Sequence, residues 1–80
     1  MNTKDIEIGE RLKTFRKHLK LSQEEFGNKI NISQKSLSAI ERGDRRLYAE
    51  LIEKISKTYN LNPNWLILGK GDMFLEKPTE

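Results

Sequence analysis

The sequence predicts one small all-α domain built from five helices. Near the start of the chain, apolar residues recur at spacings of four, three and four, the stripe of an amphipathic helix: Ile8, Leu12, Phe15 and Leu19. Runs of β-branched residues with the period of two that a strand needs are absent, and both prolines lie late, at Pro63 and Pro78. A chain of 80 residues has length for a single core only.

The first two helices follow from this stripe and from a capping signal. The stripe places the first helix at about residues 6–19. Ser22 and Glu25 have the spacing of a capping box, which opens the second helix at about residues 23–30. We expect Asn31 to end this helix, because asparagine tolerates the left-handed conformation of a tight turn.

The third helix completes a recognisable pair with the second. Ser33 is a suitable N-cap and Gly43 a suitable stop, which places the third helix at about residues 34–42. Gly27 offers a minimal side chain where the two helices must approach each other. Two short helices joined by about three residues are the outline of a helix-turn-helix.

Two further helices are predicted in the second half of the chain. The fourth spans about residues 48–59 and is stopped by Asn60. Its inward residues are predicted to be Ile52, Ile55 and Tyr59. The fifth, at about residues 63–68, opens with Asn62-Pro63, an N-cap followed by proline at the first helical position. We assign residues 1–71 to the domain and residues 72–80 to a C-terminal tail that serves as a dimerisation arm or a linker.

Charge is unevenly distributed along the chain. Residues 11–46 carry ten basic and four acidic residues, whereas the remainder carries five basic and eight acidic ones. This distribution fits a basic face directed toward a polyanion. It fits an ordinary solvated, lysine-rich surface equally well, so charge alone does not decide between the two.

Several functional classes have no support in the sequence. There is no cysteine and only one histidine, His18, so no metal site is expected. His18 is interpreted as a surface residue at the end of the first helix. The longest apolar run, Trp65 to Leu68, is too short to span a bilayer. We therefore expect a cytoplasmic protein that is not an enzyme, has no cofactor or small-molecule ligand, and does not bind membranes.

Two segments of the chain resemble a known family. Leu21 to Phe26 reads LSQEEF, and Ile32 to Gly43 reads ISQKSLSAIERG. Together with Asn62 to Leu66 and Gly69, they resemble the lambdoid-repressor/Cro, or XRE-type, helix-turn-helix regulators, over about residues 6–69. The resemblance implies a lambda-repressor-like five-helix fold and a transcriptional regulator, typically a phage repressor, that binds double-stranded DNA. It also implies that the third helix is the recognition helix.

The chain departs from the usual pattern of this family at a few positions. Alanine is usual where Gly27 stands, and glycine is usual at Lys20 and Asn31. We therefore expect Lys20 and Asn31 to adopt left-handed conformations without the help of glycine. Leu47 replaces a frequent proline before the fourth helix.

Helical geometry and the resemblance together predict which residues face DNA. Leu37 and Ile40 mark the buried side of the third helix, and the opposite side carries polar residues. The residues predicted to read bases in the major groove are Gln34, Lys35, Ser38 and Ala39. The residues predicted to contact phosphates are Ser22, Gln23, Arg42, Arg45 and Arg46. The alternative is that this is simply the polar face of a surface helix.

One further pair is predicted to be structural. Glu41 lies on the inward side of the third helix, where a lone carboxylate would be costly, and Arg16 flanks the apolar stripe of the first helix. We expect the two to pair between the helices, as the resemblance also implies. The alternative is two separate, solvated charges.

The C-terminal segment offers apolar residues for a second copy of the chain. One recognition helix covers few bases, so regulators of this type dock as dimers on two half-sites. The interface candidates are Ile67, Leu68, Met73, Phe74 and Leu75. The alternative is that the tail only covers the core of its own chain. A rival to the regulator function is an antitoxin-type interaction module that neutralises a partner protein and regulates its own operon.

Overall fold

A computed structural model describes residues 2–75, and these form five helices and no extended strand. The helices are α1 (Thr3–His18), α2 (Gln23–Lys29), α3 (Gln34–Arg42), α4 (Ala49–Tyr59) and α5 (Pro63–Leu68). The predicted all-α, five-helix fold is therefore confirmed. The end of the predicted tail, after residue 75, lies outside the described residues.

Four of the five helices begin at a side-chain cap, whereas α4 follows Tyr48, which makes no such hydrogen bond. α1 begins three residues before its predicted start, at Thr3, because Asn2 Oδ1 accepts a hydrogen bond of 2.8 Å from the backbone amide of Lys4. The predicted capping box of α2 is present: Ser22 Oγ accepts from the Glu25 amide at 3.0 Å, and Glu25 Oε1 accepts from the Ser22 amide at 2.9 Å. These caps use residues adjacent in sequence, so they form independently of the distant packing.

Three non-glycine residues in the described chain have left-handed backbone conformations. Lys20 and Asn31 both have φ of 61°, as predicted from the absence of glycine at these turns, and Asn60 ends α4 with φ of 63°. Asparagine tolerates this region because its short polar side chain interacts with the local backbone. Lysine has no such compensation, so the turn after α1 carries a small conformational cost.

The core is formed by apolar side chains from all five helices and the connecting loops. Its fully buried members include Leu12, Phe15, Phe26, Leu37, Leu51, Ile55, Leu61 and Leu66. The buried face of α4 differs from the prediction. Leu51 is buried, whereas Ile52 and Tyr59, which were predicted to face inward, are only half-buried. The reason is that Leu51 and Ile55, four residues apart, form the centre of the contact face and Ile52 lies at its rim.

An aromatic cluster fixes α4 against α2. The rings of Phe26 and Tyr59 are stacked with centroids 4.5 Å apart, and Phe15 meets Phe26 edge-on at 6.4 Å. The Tyr59 hydroxyl donates a 3.0 Å hydrogen bond to the carbonyl oxygen of Phe26. Burial of this phenol raises the pKa of Tyr59 above the ordinary tyrosine range.

Two glycines allow close backbone approaches. A Cβ at Gly9 would collide with the carbonyl oxygen of Ile40, so α1 and α3 cross with backbones almost in contact. A Cβ at Gly27 would lie 2.6 Å from the carbonyl oxygen of Ile32, in the turn before α3. The close approach at Gly27 was predicted, whereas that at Gly9 was not.

The described part of the tail folds back onto its own domain. Leu61 and Phe74 form an isolated antiparallel bridge, and the Asn62 amide donates to the carbonyl oxygen of Met73 at 2.9 Å. Phe74 packs on Phe15, with ring centroids 5.2 Å apart. Residues 72–75 thus form a cap over the core. Across residues 2–75, no helix is both long enough and apolar enough to cross a membrane.

Candidate nucleic-acid interface

The pair α2 and α3 is held at a fixed angle by a short turn. The Ile32 amide donates to the carbonyl oxygen of Gly27 at 2.9 Å, and the Ser33 hydroxyl caps α3 by accepting from the Ser36 amide at 3.1 Å. Phe26 and Leu37, one from each helix, are fully buried beneath the turn. This geometry leaves one side of α3 on the surface of the domain.

The inner side of α3 carries a buried ion pair. The Arg16 guanidinium donates two hydrogen bonds to the Glu41 carboxylate, from Nε at 2.7 Å and from Nη2 at 3.0 Å. Its Nη1 donates to the carbonyl oxygen of Leu21 at 2.8 Å. The Arg16 side chain is 9% exposed and that of Glu41 is 3% exposed. The pair therefore joins α1, α3 and the turn before α2.

Glu41 also holds the first residue of α2. Gln23 Nε2 donates to Glu41 Oε1 at 3.1 Å, so the carboxylate accepts three hydrogen bonds in total from Gln23 and Arg16. A buried carboxylate is tolerated only when its acceptor positions are filled in this way. Since the amide nitrogen of glutamine carries two hydrogens, one donor of Gln23 is left for a further partner.

The outer side of α3 borders an open cleft of about 320 Å³ at the surface. Its lining residues are Gln23, Gln34, Lys35, Ser38 and Arg42. Gln34 and Lys35 are exposed, whereas Ser38 and Ala39 are half-buried. Three of the four predicted base-reading residues thus meet in one cleft, and Ala39 lies beside it on the same helix.

The three predicted arginine contacts have different partners. Arg42 donates to Ser38 Oγ at 2.7 Å and to Asp44 Oδ2 at 3.0 Å. Arg45 Nη1 donates to Ser36 Oγ at 3.0 Å, and Arg46 Nε lies 3.5 Å from Asp5 Oδ1. All three arginines are exposed, so each retains access to solvent.

The start of α2 contains the other predicted phosphate contacts. Ser22 is exposed, but its hydroxyl oxygen already accepts from the Glu25 amide. Hydrogen bonds from the backbone amide and then the hydroxyl of Ser22 lower the pKa of Glu25, which keeps this carboxylate ionised beside the helix start. Both the amide and the hydroxyl of Ser22 therefore donate to Glu25, and a phosphate contact from Ser22 requires its hydroxyl to exchange this partner for a phosphate oxygen.

The candidate dimer residues are placed in two different environments. Leu68 is 56% exposed and Leu75 is 40% exposed. Ile67, Met73 and Phe74 are half-buried, and Met73 and Phe74 pack against the core of their own chain. The carbonyl oxygen of Ile67 accepts hydrogen bonds from Lys4 and Arg11, which stabilise the end of α5.

Two contributors to this surface were not predicted from the sequence. Asp44 holds Arg42, and Ser36 holds Arg45. The link between Ser38 and Arg42 was accessible to sequence reasoning, because residues four apart on a helix are neighbours. Within residues 2–75 there is no group of three or more histidine, cysteine or acidic residues that could hold a metal ion.

Comparison with known proteins agrees with this architecture. The helix-turn-helix domain family matches residues 9–72, which include all of α2, α3, α4 and α5. The chain belongs to this family. The predicted resemblance to XRE-type helix-turn-helix regulators is therefore confirmed. The helix-turn-helix consists of α2, α3 and the turn between them.

Two bacterial relatives match nearly the whole chain. The HTH-type transcriptional regulator DicA of Escherichia coli (strain K12) is 35% identical over 80 residues, which are 100% of this chain and 59% of DicA. The HTH-type transcriptional regulator ImmR of Bacillus subtilis (strain 168) is 32% identical over 75 residues, which are 94% of this chain and 58% of ImmR. The helix-turn-helix chain thus spans less than two thirds of either relative. No solved structure matches it at a significant level.

Proposed function

We propose that the chain is a sequence-specific DNA-binding transcriptional regulator that acts as a repressor, with α3 in the major groove. The observation that carries this proposal is the division of α3 into two sides. Its inner side is anchored by the buried Arg16–Glu41 pair, and its outer side presents donors to an open cleft. A rigid helix with an exposed polar face is what groove recognition needs. The similarity of the chain to DicA and ImmR, which are HTH-type transcriptional regulators, supports the same proposal.

Base reading is assigned to Gln34, Lys35, Ser38 and Ala39. Glutamine can bond the N6 and N7 edge of adenine, and lysine suits the O6 and N7 acceptors of guanine. Ser38 Oγ accepts from Arg42, so its own proton remains available to a base acceptor. The Ala39 methyl group suits the methyl group of thymine.

Phosphate contacts are assigned to Ser22 and Gln23 at the start of α2, and to Arg45 and Arg46 just after α3. Gln23 is oriented by Glu41 and keeps one amide hydrogen for a phosphate oxygen. Arg45 and Arg46 are exposed, and both the hydrogen bond of Arg45 to Ser36 and the ion pair of Arg46 with Asp5 are easily exchanged for phosphate. Arg42 belongs to the same predicted set, but it lines the cleft beside the residues assigned to base reading.

The functional unit is proposed to be a homodimer on a two-fold symmetric site. Leu68 and Leu75 are the exposed members of the candidate interface, and the half-buried Ile67 adjoins Leu68. A glutamate at position 68 would place a charge in such an interface. We expect Leu68→Glu to shift sedimentation equilibrium toward monomer and to abolish the preference for paired half-sites. If the wild-type protein binds single half-sites as tightly as paired ones, the dimer proposal is wrong.

The experiment that tests DNA reading is selection from a randomised duplex library, followed by titration of the selected and random duplexes. We expect Lys35→Ala to lose preference at one base pair, because it removes a base contact. Arg45→Ala should weaken binding to all duplexes alike and lower the slope of log affinity against log salt by about one unit. Failure of the wild-type protein to select any sequence would contradict the proposed function.

Repression is tested separately from binding. A reporter gene placed downstream of the selected site should be expressed less when the wild-type chain is present, and repression should be weaker with the Lys35→Ala variant. Increased expression with the wild-type chain would indicate an activator that uses the same DNA-binding surface.

A further inference from the structure

The Arg42 side chain is held from two directions. Its Nη1 donates to Ser38 Oγ at 2.7 Å, one helical turn earlier, and its Nε donates to Asp44 Oδ2 at 3.0 Å, just beyond the helix. The side chain nevertheless remains 60% exposed. A guanidinium carries five N–H donors, so three have no partner among the described residues. Ser38 and Asp44 thus orient Arg42 and leave three of its N–H donors available for a further partner.

The position of Asp44 is determined by the backbone at the end of α3. Gly43 adopts φ of 83°, its amide donates to Ile40 at 3.0 Å, and the Asp44 amide donates to Ala39 at 2.9 Å. This double hydrogen-bond pattern is a Schellman motif, which fixes the two residues after the helix. The backbone of Asp44 is therefore fixed by hydrogen bonds, and this determines where its carboxylate lies.

Arg42 differs from the two other arginines of this region in where it lies. Arg42 lines the cleft together with Gln34 and Lys35, whereas Arg45 and Arg46 do not. Long side chains on a helix lean toward its N-terminus, and the bond to Ser38 shows that Arg42 does so. Its guanidinium is therefore placed beside the residues proposed to read bases.

We propose that Arg42 reads a base, and that Ser38 and Asp44 are positioning residues that hold it for this purpose. This inference rests on the proposed function, because it requires α3 to lie in the major groove. The chemistry points to guanine, whose O6 and N7 accept two parallel hydrogen bonds from one guanidinium. Asp44 also lowers the net positive charge beside Arg42, which reduces its attraction to phosphates of any sequence.

The first arm of the test compares two arginine variants on the selected duplex and on random duplex. Arg42→Ala should lower affinity for the selected site roughly five- to hundredfold, as expected for loss of a bidentate base contact. It should lose discrimination at one G·C pair and keep it elsewhere. Arg45→Ala is the matched control, since it removes the same charge and is expected to weaken all duplexes by one factor.

The second arm tests the positioning role of Asp44. Asp44→Asn should reduce discrimination at that same G·C pair and raise affinity for random duplex. Glu53→Gln removes the same charge from an exposed pair with Lys57 on α4, and it should leave the base preferences unchanged. Unaltered discrimination in Asp44→Asn would overturn the positioning role.

The outcomes separate this inference from the proposed function. If Arg42→Ala weakens every duplex by the same factor, Arg42 is a phosphate contact and the inference is wrong, while DNA reading by α3 stands. If the wild-type protein selects no sequence, the proposed function itself has failed. Should Arg42→Ala not fold, Arg42→Lys keeps the charge without the paired donors and must lose the same discrimination.

Discussion

Glu41 and Arg42 are adjacent in α3, but their charges lie in opposite environments. The Glu41 side chain is 3% exposed and accepts two hydrogen bonds from Arg16, the shorter at 2.7 Å. The Arg42 side chain is 60% exposed and donates to Asp44 at 3.0 Å. One ion pair therefore ties helices together inside the domain, and the other shapes the surface of the same helix.

The N···O distances of the two pairs are similar, 2.7 Å and 3.0 Å, whereas their exposures differ greatly. The exposure of an ion pair therefore indicates its role better than the distance does. Breaking a buried pair leaves an uncompensated charge in a low-dielectric interior, whereas an exposed pair loses little because water replaces the partner. We accordingly attribute the stability of the α1–α3 contact to the inner pair. The outer pair is free to serve recognition, because the fold does not depend on it.

The largest expected effect comes from breaking the inner pair. Glu41→Ala should lower the free energy of unfolding by about 3 kcal/mol, because Arg16 is left buried without its carboxylate. Urea denaturation followed by circular dichroism measures this change. The double variant Arg16→Met with Glu41→Leu should recover much of the loss, since apolar residues of similar size remove both charges. Unchanged stability in Glu41→Ala would show that the pair is not structural.

A second variant tests the same contact through shape alone. Gly9→Ala should cost about 2 kcal/mol, because the added methyl group meets the carbonyl oxygen of Ile40 and forces α1 away from α3. Thermal unfolding measures the change, and Glu10→Ala, an exposed neighbour, is the control. Equal melting temperatures for Gly9→Ala and the wild type would mean that the helices separate without cost.

A third prediction concerns the capping box at the start of α2, which is formed by Ser22 and Glu25. Ser22→Ala should lower the free energy of unfolding by about 1 kcal/mol, the usual contribution of an N-cap. Its partner in the capping box makes the effect depend on pH. Because the folded state lowers the pKa of Glu25, the stabilisation is present above the unfolded-state pKa and is lost as pH falls through the lower, folded-state pKa.

This pH dependence is checked by unfolding the wild type and Glu25→Gln between neutral and acidic pH. The difference in stability between them should shrink as the pH falls below the ordinary glutamate range. A difference that stays constant down to the most acidic point would contradict the ionised capping box.

The smallest expected effect on stability belongs to the outer pair. Asp44→Asn should change the free energy of unfolding by less than about 0.5 kcal/mol, because the pair is exposed and water replaces the lost partner. Chemical denaturation under the conditions used for Glu41→Ala gives the direct contrast. A loss similar to that of Glu41→Ala would remove the distinction between the two pairs.

Local signals in the sequence were sufficient to predict most helix ends. The Ser22–Glu25 capping box, the Gly43 stop and the left-handed turns at Lys20 and Asn31 depend on residues close together in the chain. Such signals join residues within about one helical turn, so they can be recognised without knowing the tertiary contacts. The early start of α1 was missed because the apolar stripe begins later than the cap at Asn2.

Features that depend on how helices cross were not predictable in the same way. Periodicity alone favoured Ile52 as a core residue of α4, whereas the packing of the helix buries Leu51. The need for glycine at Gly9 follows from α3 passing above it, which no local pattern reveals. The fold-back of Phe74 onto Phe15 likewise depends on hydrogen bonds formed near Asn60 and Asn62.

We propose that the outer side of α3 binds DNA, while its inner side stabilises the fold through the Arg16–Glu41 pair. Amide nitrogen–proton correlation spectra, recorded while the selected duplex is titrated into the protein, test it most directly. We expect the largest changes in amide chemical shift at residues 22–23 and 33–46. Changes confined to α4 and α5, with α3 unaffected, would contradict DNA binding by α3.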